Sequence, residues 1–377
     1  MTQFTPRRPR FRRVLLASSA VVAIVAAGAL SAAALRGGTG EPELVNPAGP
    51  TLVFAEFGLN ADEIYLAPAT DPEQRTPLQT IPPAEGWGIN PAPQLVAGRT
   101  AYTVLPPDAS PNRDSPAELW LLDVVTRSAT RLSRDADLLA APVLSADGTT
   151  LAYRRTEDGG VQAIVRVDLE TRARRVLHAE QSSFGVFPVG FDEDGAVLFA
   201  RLSAGGTDLM RVTDGDRAEL LFHASDEIAR DWRLSPDGAS LAYLAPELTA
   251  ERVVHRARVV DLAGTEVLTL PADLAEHFAV AWRHDGALAV GREPLGAASA
   301  APLVLGDERT VALRAAGSGF DVPLAWSLGG GYLAARHFDG EGSQNPGTET
   351  LVVLGGDGSR VTVSARTELI FLGWTGA

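Results

Sequence analysis

The chain of 377 residues contains no cysteine and no lysine, and only 6% of its residues are aromatic. Without cysteine it can form no disulfide framework, and a metal site with thiolate ligands is excluded. Without lysine, every basic side chain is an arginine. The chain also lacks a Gly-x-Ser-x-Gly sequence, the nucleophile turn of many hydrolases, and no glycine-rich phosphate loop follows a predicted strand. The sequence therefore contains no recognisable catalytic motif.

The charge of the chain is unevenly distributed. The formal net charge is −14, but the first 36 residues contain six arginines and no acidic residue. The remainder carries 27 arginines against 47 aspartates and glutamates, a net charge of −20. A body this acidic argues against binding to nucleic acid or to an anionic membrane surface, and it favours solubility, the binding of cations or a basic partner.

The N-terminal region has the pattern of a membrane anchor. Residues 1–13 are basic, and residues 14–35 form a run of 22 without a charge. This run is long enough to span a bilayer as a helix, and the arginines before it place the N-terminus in the cytoplasm. We therefore predict a cytoplasmic N-terminus at 1–13, one transmembrane helix at 14–35, a linker at 36–48 and an extracytoplasmic domain at 49–377. The alternative is a signal peptide cleaved after residues 32–34, which would make the protein secreted or periplasmic.

A turn of the Pro-Asp-Gly type recurs along the rest of the chain. In its clearest copy, Ser-Pro-Asp-Gly at 235–238 reverses the chain between two apolar runs, as in a β-hairpin. The positions just before the turns are spaced by 49, 47, 43, 48, 44 and 48 residues. A period of this length, with several short strands per repeat, is typical of β-propeller blades. These positions are Leu95, Leu144, Phe191, Leu234, Trp282, Trp326 and Trp374.

The repeats predict an all-β, seven-bladed β-propeller with four-stranded blades at residues 49–377. Residues 49–54 resemble a second strand with no first strand before it, and residues 368–374 resemble a first strand with nothing after it. Side by side, these N- and C-terminal strands would complete one blade and close the ring. Closure removes the exposed sheet edges of an open array, so we predict a monomeric propeller.

The turn segment 234–243 and a second turn at 167–172 together resemble the WD-like repeat of TolB-type β-propellers. The resemblance covers nearly all of residues 49–377, but it specifies a blade and not an activity. It implies relatives of two kinds, namely periplasmic scaffolds that bind proteins and propeller domains attached to prolyl-peptidase-like hydrolases. This sequence has only the short linker before its first blade and no room for a hydrolase domain.

From these observations we predict a protein-binding or scaffolding propeller of a bacterial cell envelope that is not an enzyme. The six histidines show no metal-ligand spacing, so neither a metal ion nor a cofactor is expected. The alternative is a propeller-class, glycan-active hydrolase or lyase that uses carboxylates in the central channel. Paired carboxyl groups about 5 to 10 Å apart in a pocket would distinguish it.

The predicted binding site combines three loops. Residues 106–118 and 337–349 are insertions in the second and seventh blades, which flank the first blade in a closed ring. The loop at 82–88 carries a tryptophan outside the repeat position, and long loops often bind partners. We expect these loops to meet around an exposed tryptophan with a polar rim. The predicted residues are Trp87, Arg113, Asp114, His337, Asp339 and Glu341.

Overall fold

The structure, a computed structural model, describes residues 49–376 apart from 59–60, 85, 110–114, 216, 250–251, 271–274, 307–312 and 366. The predicted cytoplasmic segment, transmembrane helix and linker lie outside the described residues. The described part is built of β-strands, with one short 3-10 turn at Asp158–Gly160. No helix in it is long and apolar enough to cross a membrane.

The first sheet joins the two ends of the described chain. Its strand order is β28 (Leu369–Thr375), β1 (Thr51–Glu56), β2 (Asp62–Pro68) and β3 (Thr76–Ile81). β28 runs antiparallel to β1, with Thr375 opposite Thr51 and Leu369 opposite Glu56. This pairing confirms the predicted closure by N- and C-terminal strands.

The second sheet contains two of the sequence repeats. Its strands are β4 (Asn90–Pro91), β5 (Arg99–Val104), β6 (Ala117–Asp123), β7 (Ser128–Ala136), β8 (Val143–Leu144), β9 (Thr150–Glu157), β10 (Val161–Asp168) and β11 (Arg174–Gln181). Its two halves, β4–β7 and β8–β11, are linked by the pairing of Ala136 with Arg155. The two halves are therefore two neighbouring units that contact each other at one strand end.

Four more sheets follow in chain order. The third consists of β12 (Val186–Phe191), β13 (Val197–Ser203), β14 (Gly206–Val212) and β15 (Glu219–Ser225). The fourth consists of β16 (Arg230–Leu234), β17 (Ser240–Leu248), β18 (Val253–Asp261) and β19 (Glu266–Leu268). The fifth contains β20 (His277–Trp282), β21 (Leu288–Arg292) and β23 (Leu303–Leu305). The sixth contains β22 (Ser299–Ala300), β24 (Gly319–Trp326), β25 (Tyr332–Phe338), β26 (Glu349–Gly355) and β27 (Arg360–Thr362).

The hydrophobic core is divided among the contacts between neighbouring sheets. Val53 of the first sheet packs with Leu122 of the second. On its other side, Phe54 of the first sheet packs with Val353 of the sixth. Because strand side chains alternate between the two faces of a sheet, consecutive residues of β1 serve two different contacts. The sheets therefore form a ring in which the last sheet packs against the first.

The tryptophans at the repeat position connect neighbouring sheets by hydrogen bonds as well as by packing. Trp282 ends β20, and its Nε1 donates to the backbone oxygen of Arg233 in the fourth sheet at 3.0 Å. Trp374 of β28 donates in the same way to Ala325 of the sixth sheet at 2.9 Å. Buried indole N–H groups require an acceptor, and for Trp282 and Trp374 the acceptor is the adjacent first strand, whereas the buried Nε1 of Trp326 has no hydrogen-bond partner among the described residues. Both residues also pack in the hydrophobic clusters between sheets.

Two sets of loops share what we call the upper face. One set connects each sheet to the next, and the other joins the second and third strands within a sheet. In the third sheet, for example, Ser203 at the end of β13 pairs with Gly206, and Thr207 pairs with Ser225 at the end of β15. The lower face carries the turns between first and second strands and those between third and fourth strands.

One buried carboxyl group on the upper side of the first sheet lacks a full set of partners. Asp62 is only 2% exposed, and its Oδ2 has no hydrogen-bond partner. Burial raises the pKa of Asp62 to about 7, although the backbone N–H groups of Gly58 and Ile89 act in the opposite direction. The folded protein therefore retains a proton on this group at pH values where the unfolded chain has lost it.

This burial predicts a pH-dependent stability. Because the pKa of Asp62 is raised in the folded state, its contribution to the free energy of unfolding is fully present below about pH 4. This contribution is lost as the pH rises to about 7, at up to about 1.4 kcal/mol per pH unit. Asp62→Asn should therefore raise the unfolding midpoint relative to wild type at pH 8 more than at pH 5, as measured by calorimetry.

Asp237→Asn is the matched control. Asp237 accepts hydrogen bonds from Ser235 and Ala239, which hold its pKa below the usual range. Its replacement should lower the midpoint at pH 8. A midpoint difference between Asp62→Asn and wild type that does not grow with pH would contradict the account.

Candidate functional site

Five exposed apolar side chains lie along the upper face from the third sheet to the fifth. They stand on successive loops, so they trace an arc around part of the rim. We call this set the apolar arc, and its members are Phe184, Ile228, Leu248, Val253 and Leu295. A folded chain buries such side chains where it can, and a row of them on one face is typical of a binding surface.

The centre of the apolar arc is an extended hairpin of the fourth sheet. β17 and β18 are nine residues long, and Leu248 pairs with Val253 at the tip. The two side chains are 81% and 56% exposed. The Thr249 hydroxyl accepts from the Arg252 N–H at 3.1 Å and donates to the Arg252 carbonyl at 2.6 Å, so these two residues are held together across the hairpin. The extra length of these strands lifts two apolar residues above the rim.

Leu295 is held in an unfavourable backbone conformation. Its φ is +38°, a region that side chains other than glycine rarely adopt. It lies in a tight turn in which the Ala297 N–H donates to the Pro294 carbonyl at 2.8 Å. Despite this cost, the side chain points into solvent and is 52% exposed. Strained residues of this kind are concentrated at functional sites.

A network of charged groups fixes the hairpin against the next sheet. Arg252 forms an ion pair with Glu293, two residues before Leu295. Glu276 accepts hydrogen bonds from Ser343 and from His255, the latter at 3.2 Å. Burial would raise the pKa of Glu276, but these hydrogen bonds and the charge of Arg252 outweigh it and hold the pKa below its usual value. The apolar arc is thus carried on loops with fixed positions.

Acidic side chains accompany the apolar arc. Asp226 is fully exposed, Glu227 follows it in the same connection, and Glu247 precedes the hairpin tip with half its surface exposed. Asp226 contacts His223 at 3.2 Å, and Glu247 lies 3.9 Å from Arg256. Exposed ion pairs at such distances add little stability to the fold. The face therefore combines exposed apolar side chains with exposed acidic ones.

A second group of charges lies beside the central channel, on β16. Asp231 has a φ of +57° where the pairing of β16 with β17 shifts register between Arg230 and Arg233. The side chain of Asp231 is largely buried, with 12% of its surface exposed, as expected of a residue that lines a channel. Burial raises the pKa of Asp231, while the positive charges of Arg230, Arg233 and Arg336 lower it.

Two further carboxyl groups lie near Arg336, namely Glu349 at the beginning of β26, 3.9 Å from Arg336 Nε, and Glu368 just before β28. Burial raises the pKa of Glu349. Burial also raises the pKa of Glu368, and the charge of Glu349 raises it further, with Arg336 acting against both shifts.

The structure places the predicted loop residues differently from the sequence-based expectation. Trp87 is half-buried and packs, with Ala109, on the core of the second sheet, and the Ala84 N–H donates to Leu105 at 2.9 Å. Thus loop 82–88 and the beginning of insertion 106–118 do meet. The prediction that Trp87 stands exposed and outside the core is wrong, because its indole finds apolar partners beside it. Arg113 and Asp114 lie outside the described residues.

The insertion at 337–349 extends towards the fifth sheet and away from Trp87. Its Ser343 donates to Glu276, and a Cβ at Gly342 would lie 2.5 Å from Glu293. The described part of this insertion therefore contacts the fifth sheet, and its convergence with the other two loops stays a prediction.

The three predicted residues of this insertion have local contacts. His337 bonds the fully buried Asp321 at 3.0 Å, and Asp321 also receives two hydrogen bonds from Arg360 at 2.8 Å. Asp339 accepts from the Thr348 N–H at 2.6 Å, whereas the side chain of Glu341 is exposed. His337 and Asp339 thus stabilise the hairpin, and a binding role for the predicted set stays a prediction.

Among the described residues, no group of three or more histidine and acidic side chains is close enough together to hold a metal ion. The channel group was visible in the sequence as three charged residues in the strand 230–234, where other repeats have apolar ones. The sequence contained no comparable sign of the apolar arc. The alternation of apolar and polar residues in a strand does not show which apolar residues near a loop remain exposed.

No protein family and no curated relative matches the sequence. Solved structures share its fold. An acylaminoacyl peptidase from Pyrococcus horikoshii is 12% identical over 85% of this chain and 51% of its own, with a TM-score of 0.55. An oligogalacturonate lyase from Vibrio parahaemolyticus is 15% identical over 81% of this chain and 86% of its own, with a TM-score of 0.51. TolB from Acinetobacter baumannii is 15% identical over 86% of this chain and 67% of its own, with a TM-score of 0.49. The chain is thus a β-propeller.

These structures correct one prediction. The sequence led us to expect a protein that is not an enzyme, because it lacks a nucleophile motif. That prediction is wrong as it stands, since this propeller fold occurs in a lyase and in a peptidase. The missing motif bears on only one type of catalytic centre.

Proposed function

We propose that this β-propeller binds a protein partner through the apolar arc on its upper face. The observation that carries the proposal is the exposure of Leu248 and Val253 at the tip of an extended, fixed hairpin. Burying a leucine or valine side chain is worth about 1.5 to 3 kcal/mol, so the five residues of the arc can supply most of the affinity of a moderate complex.

The partner we propose has apolar side chains flanked by basic ones. Asp226, Glu227 and Glu247 lie beside the apolar residues, and the body of the protein is strongly acidic. Opposite charge on a partner would speed its association and orient it on this face. The same charge pattern would repel acidic proteins and nucleic acids.

The finer features of the architecture and location belong to the same proposal. We count the two halves of the second sheet separately, which gives seven blades of a TolB-type propeller. The uncharged run at 14–35 would anchor it as a single-pass protein, or be cleaved to release it, with the propeller in the bacterial envelope outside the cytoplasm. Recovery of a protein with an intact N-terminus in the membrane fraction would support the anchor, and a mature N-terminus near residue 35 would support cleavage.

A glycan-active hydrolase or lyase is the second candidate. It is favoured by Glu349, whose Oε1 lies 3.9 Å from Arg336 Nε, and by Glu368, whose pKa is raised by burial and by the charge of Glu349. Release of new sugar ends from a polysaccharide panel, lost in the Glu368→Gln variant, would support this candidate over binding alone.

The arc can be tested by site-specific photo-crosslinking in the native cells. A crosslinking residue at Leu248 should give one adduct of defined mass, while the same residue at Val125 should give none. Val125 is the matched control because it is 74% exposed but lies in a turn of the lower face, between β6 and β7. Adding Leu295→Ser should reduce the Leu248 adduct severalfold, since one truncated contact residue costs about 1 to 2 kcal/mol.

Two results would contradict the proposal that a partner binds through the apolar arc. Equal adducts at Leu248 and Val125 would indicate non-specific contact, and an adduct unaffected by Leu295→Ser would place the partner elsewhere. Leu328→Ser, a lower-face variant at another exposed position, should leave the Leu248 adduct unchanged.

A further inference from the structure

A small cavity lies on the upper face where the two halves of the second sheet meet. It has a volume of about 70 Å³, and most of its lining residues are polar. We call it the polar cavity, and its polar residues are Ser115, Asp137, Arg154, Thr156 and Gln162. None of these residues belongs to the apolar arc, and Ser115 belongs to the insertion at 106–118. The polar cavity is therefore a separate candidate site on this face.

Arg154 of β9 lines the polar cavity and has one hydrogen-bond donor left over. Its side chain is only 4% exposed. Its Nη2 lies 3.0 Å from Asp137 Oδ2, and its Nη1 donates to the Val186 carbonyl at 3.3 Å. Its buried Nε has no hydrogen-bond partner among the described residues. A buried N–H group is costly to leave unpaired, so an acceptor bound in the cavity would stabilise the protein.

The guanidinium group of Arg154 is enclosed by its neighbours. Its Cζ lies over the ring of Phe187, 4.3 Å from the ring centre. A Cβ at Gly185 would lie 3.0 Å from Arg154 Nη1, so the backbone also packs closely against the group. The ion pair with Asp137 holds a third side. The unpaired N–H is therefore fixed in the wall of the cavity, and a ligand that pairs with it need not reorganise the site.

The other polar groups of the cavity leave both acceptors and donors for a ligand. Asp137 Oδ1 accepts from the Leu139 N–H at 2.7 Å, and a carboxylate oxygen can accept a second hydrogen bond. Thr156 donates its hydroxyl proton to Asp137 Oδ2 at 2.5 Å, which leaves the Thr156 oxygen as an acceptor. Gln162 Oε1 accepts from the Val186 N–H at 3.1 Å, which leaves Gln162 Nε2 as the donor end of the amide.

We propose that the polar cavity binds the terminal vicinal diol of a neutral polyol chain. Each hydroxyl group of a diol accepts one hydrogen bond and donates another. The two oxygens can therefore accept from Arg154 Nε and Gln162 Nε2, while the two protons go to Asp137 and Thr156. The charges of Arg154 and Asp137 pair with each other, so the lining has no net charge for an ionic ligand to neutralise.

The size of the cavity agrees with this ligand. A water molecule occupies about 30 Å³ in the liquid, so a volume of about 70 Å³ holds about two waters. The same space holds the two carbons and two oxygens of a diol, but it is too small for a whole sugar ring. Only the end of a polyol chain therefore enters. The proposal rests neither on protein binding at the apolar arc nor on cleavage of a glycan.

The proposal can be tested by saturation-transfer NMR and titration of the full-length protein in a buffer without glycerol. The matched probes are 1,2-propanediol and 1,3-propanediol, which have the same atoms, but only the first has vicinal hydroxyl groups. We expect saturable binding of 1,2-propanediol, and binding of 1,3-propanediol at least about fivefold weaker, as for one lost hydrogen bond. Equal binding of the two, no saturable binding of 1,2-propanediol, or stronger binding of acetamide would overturn the proposal.

Further probes distinguish the two sources of such a diol. Glycerol represents a free polyol, and methyl β-galactofuranoside, with a diol outside its ring, represents the end of a glycan. Binding of glycerol alone would support a free polyol, and tighter binding of the furanoside would support a glycan end. Methyl β-galactopyranoside has the same composition without that diol, and its binding as tightly as the furanoside would contradict the proposal.

A variant of Gln162 separates ligand binding from stability. Gln162→Glu keeps an acceptor for the Val186 N–H but removes the Nε2 donor, so it should weaken binding of 1,2-propanediol at least about fivefold without lowering the unfolding midpoint. Gln181→Glu makes the same change on the exposed strand β11, outside the cavity, and should leave binding unchanged. Unchanged binding in Gln162→Glu, or equal losses in both variants, would overturn the proposal.

Discussion

The antiparallel pairing of β28 with β1 is the constraint on which the rest of this protein depends. These strands come from opposite ends of the described chain, and their hydrogen bonds make the first sheet continuous. Without them, the first sheet would have an open edge, and the cluster of Leu52, Phe54 and Trp374 would lose its contact with the sixth sheet. The channel exists only inside a closed ring, and the upper face has a defined geometry only when every sheet is held by two neighbours.

Closure also explains how distant residues come together at the sites. Glu276 and Ser343 are 67 positions apart in sequence, yet they form a hydrogen bond beside the apolar arc because the fifth and sixth sheets are neighbours in the ring. The tryptophan at the end of β20 bonds the backbone of Arg233, so the packing that holds two sheets together also positions a channel residue. Fold and candidate sites thus rest on the same contacts.

Much of the fold could be predicted from the sequence, because turn chemistry and the repeat period are local properties. Leu234 and Trp282 end first strands, as their spacing predicts, and the split first sheet follows from incomplete repeats at both ends. The candidate sites were harder to predict than the fold. They depend on the direction in which each loop extends and on which side chains form hydrogen bonds or packing contacts. Trp87 was expected in solvent and packs on the core, whereas Leu248, which no pattern distinguishes, is exposed. The prediction that the protein is not an enzyme was wrong for a related reason, since the absence of one motif does not exclude activity in a fold that also occurs in a lyase and a peptidase.

The most direct test of the account is removal of the closing strand. A chain lacking residues 368–377 should lose its single cooperative unfolding transition or aggregate, because the first sheet would expose an unpaired edge. A chain lacking only residues 376–377, beyond β28, should unfold like the intact protein. The measurements are calorimetry and light scattering on the same samples. If the protein without residues 368–377 stays monomeric with an unchanged unfolding midpoint, closure by β28 does not hold the propeller together and the account is contradicted.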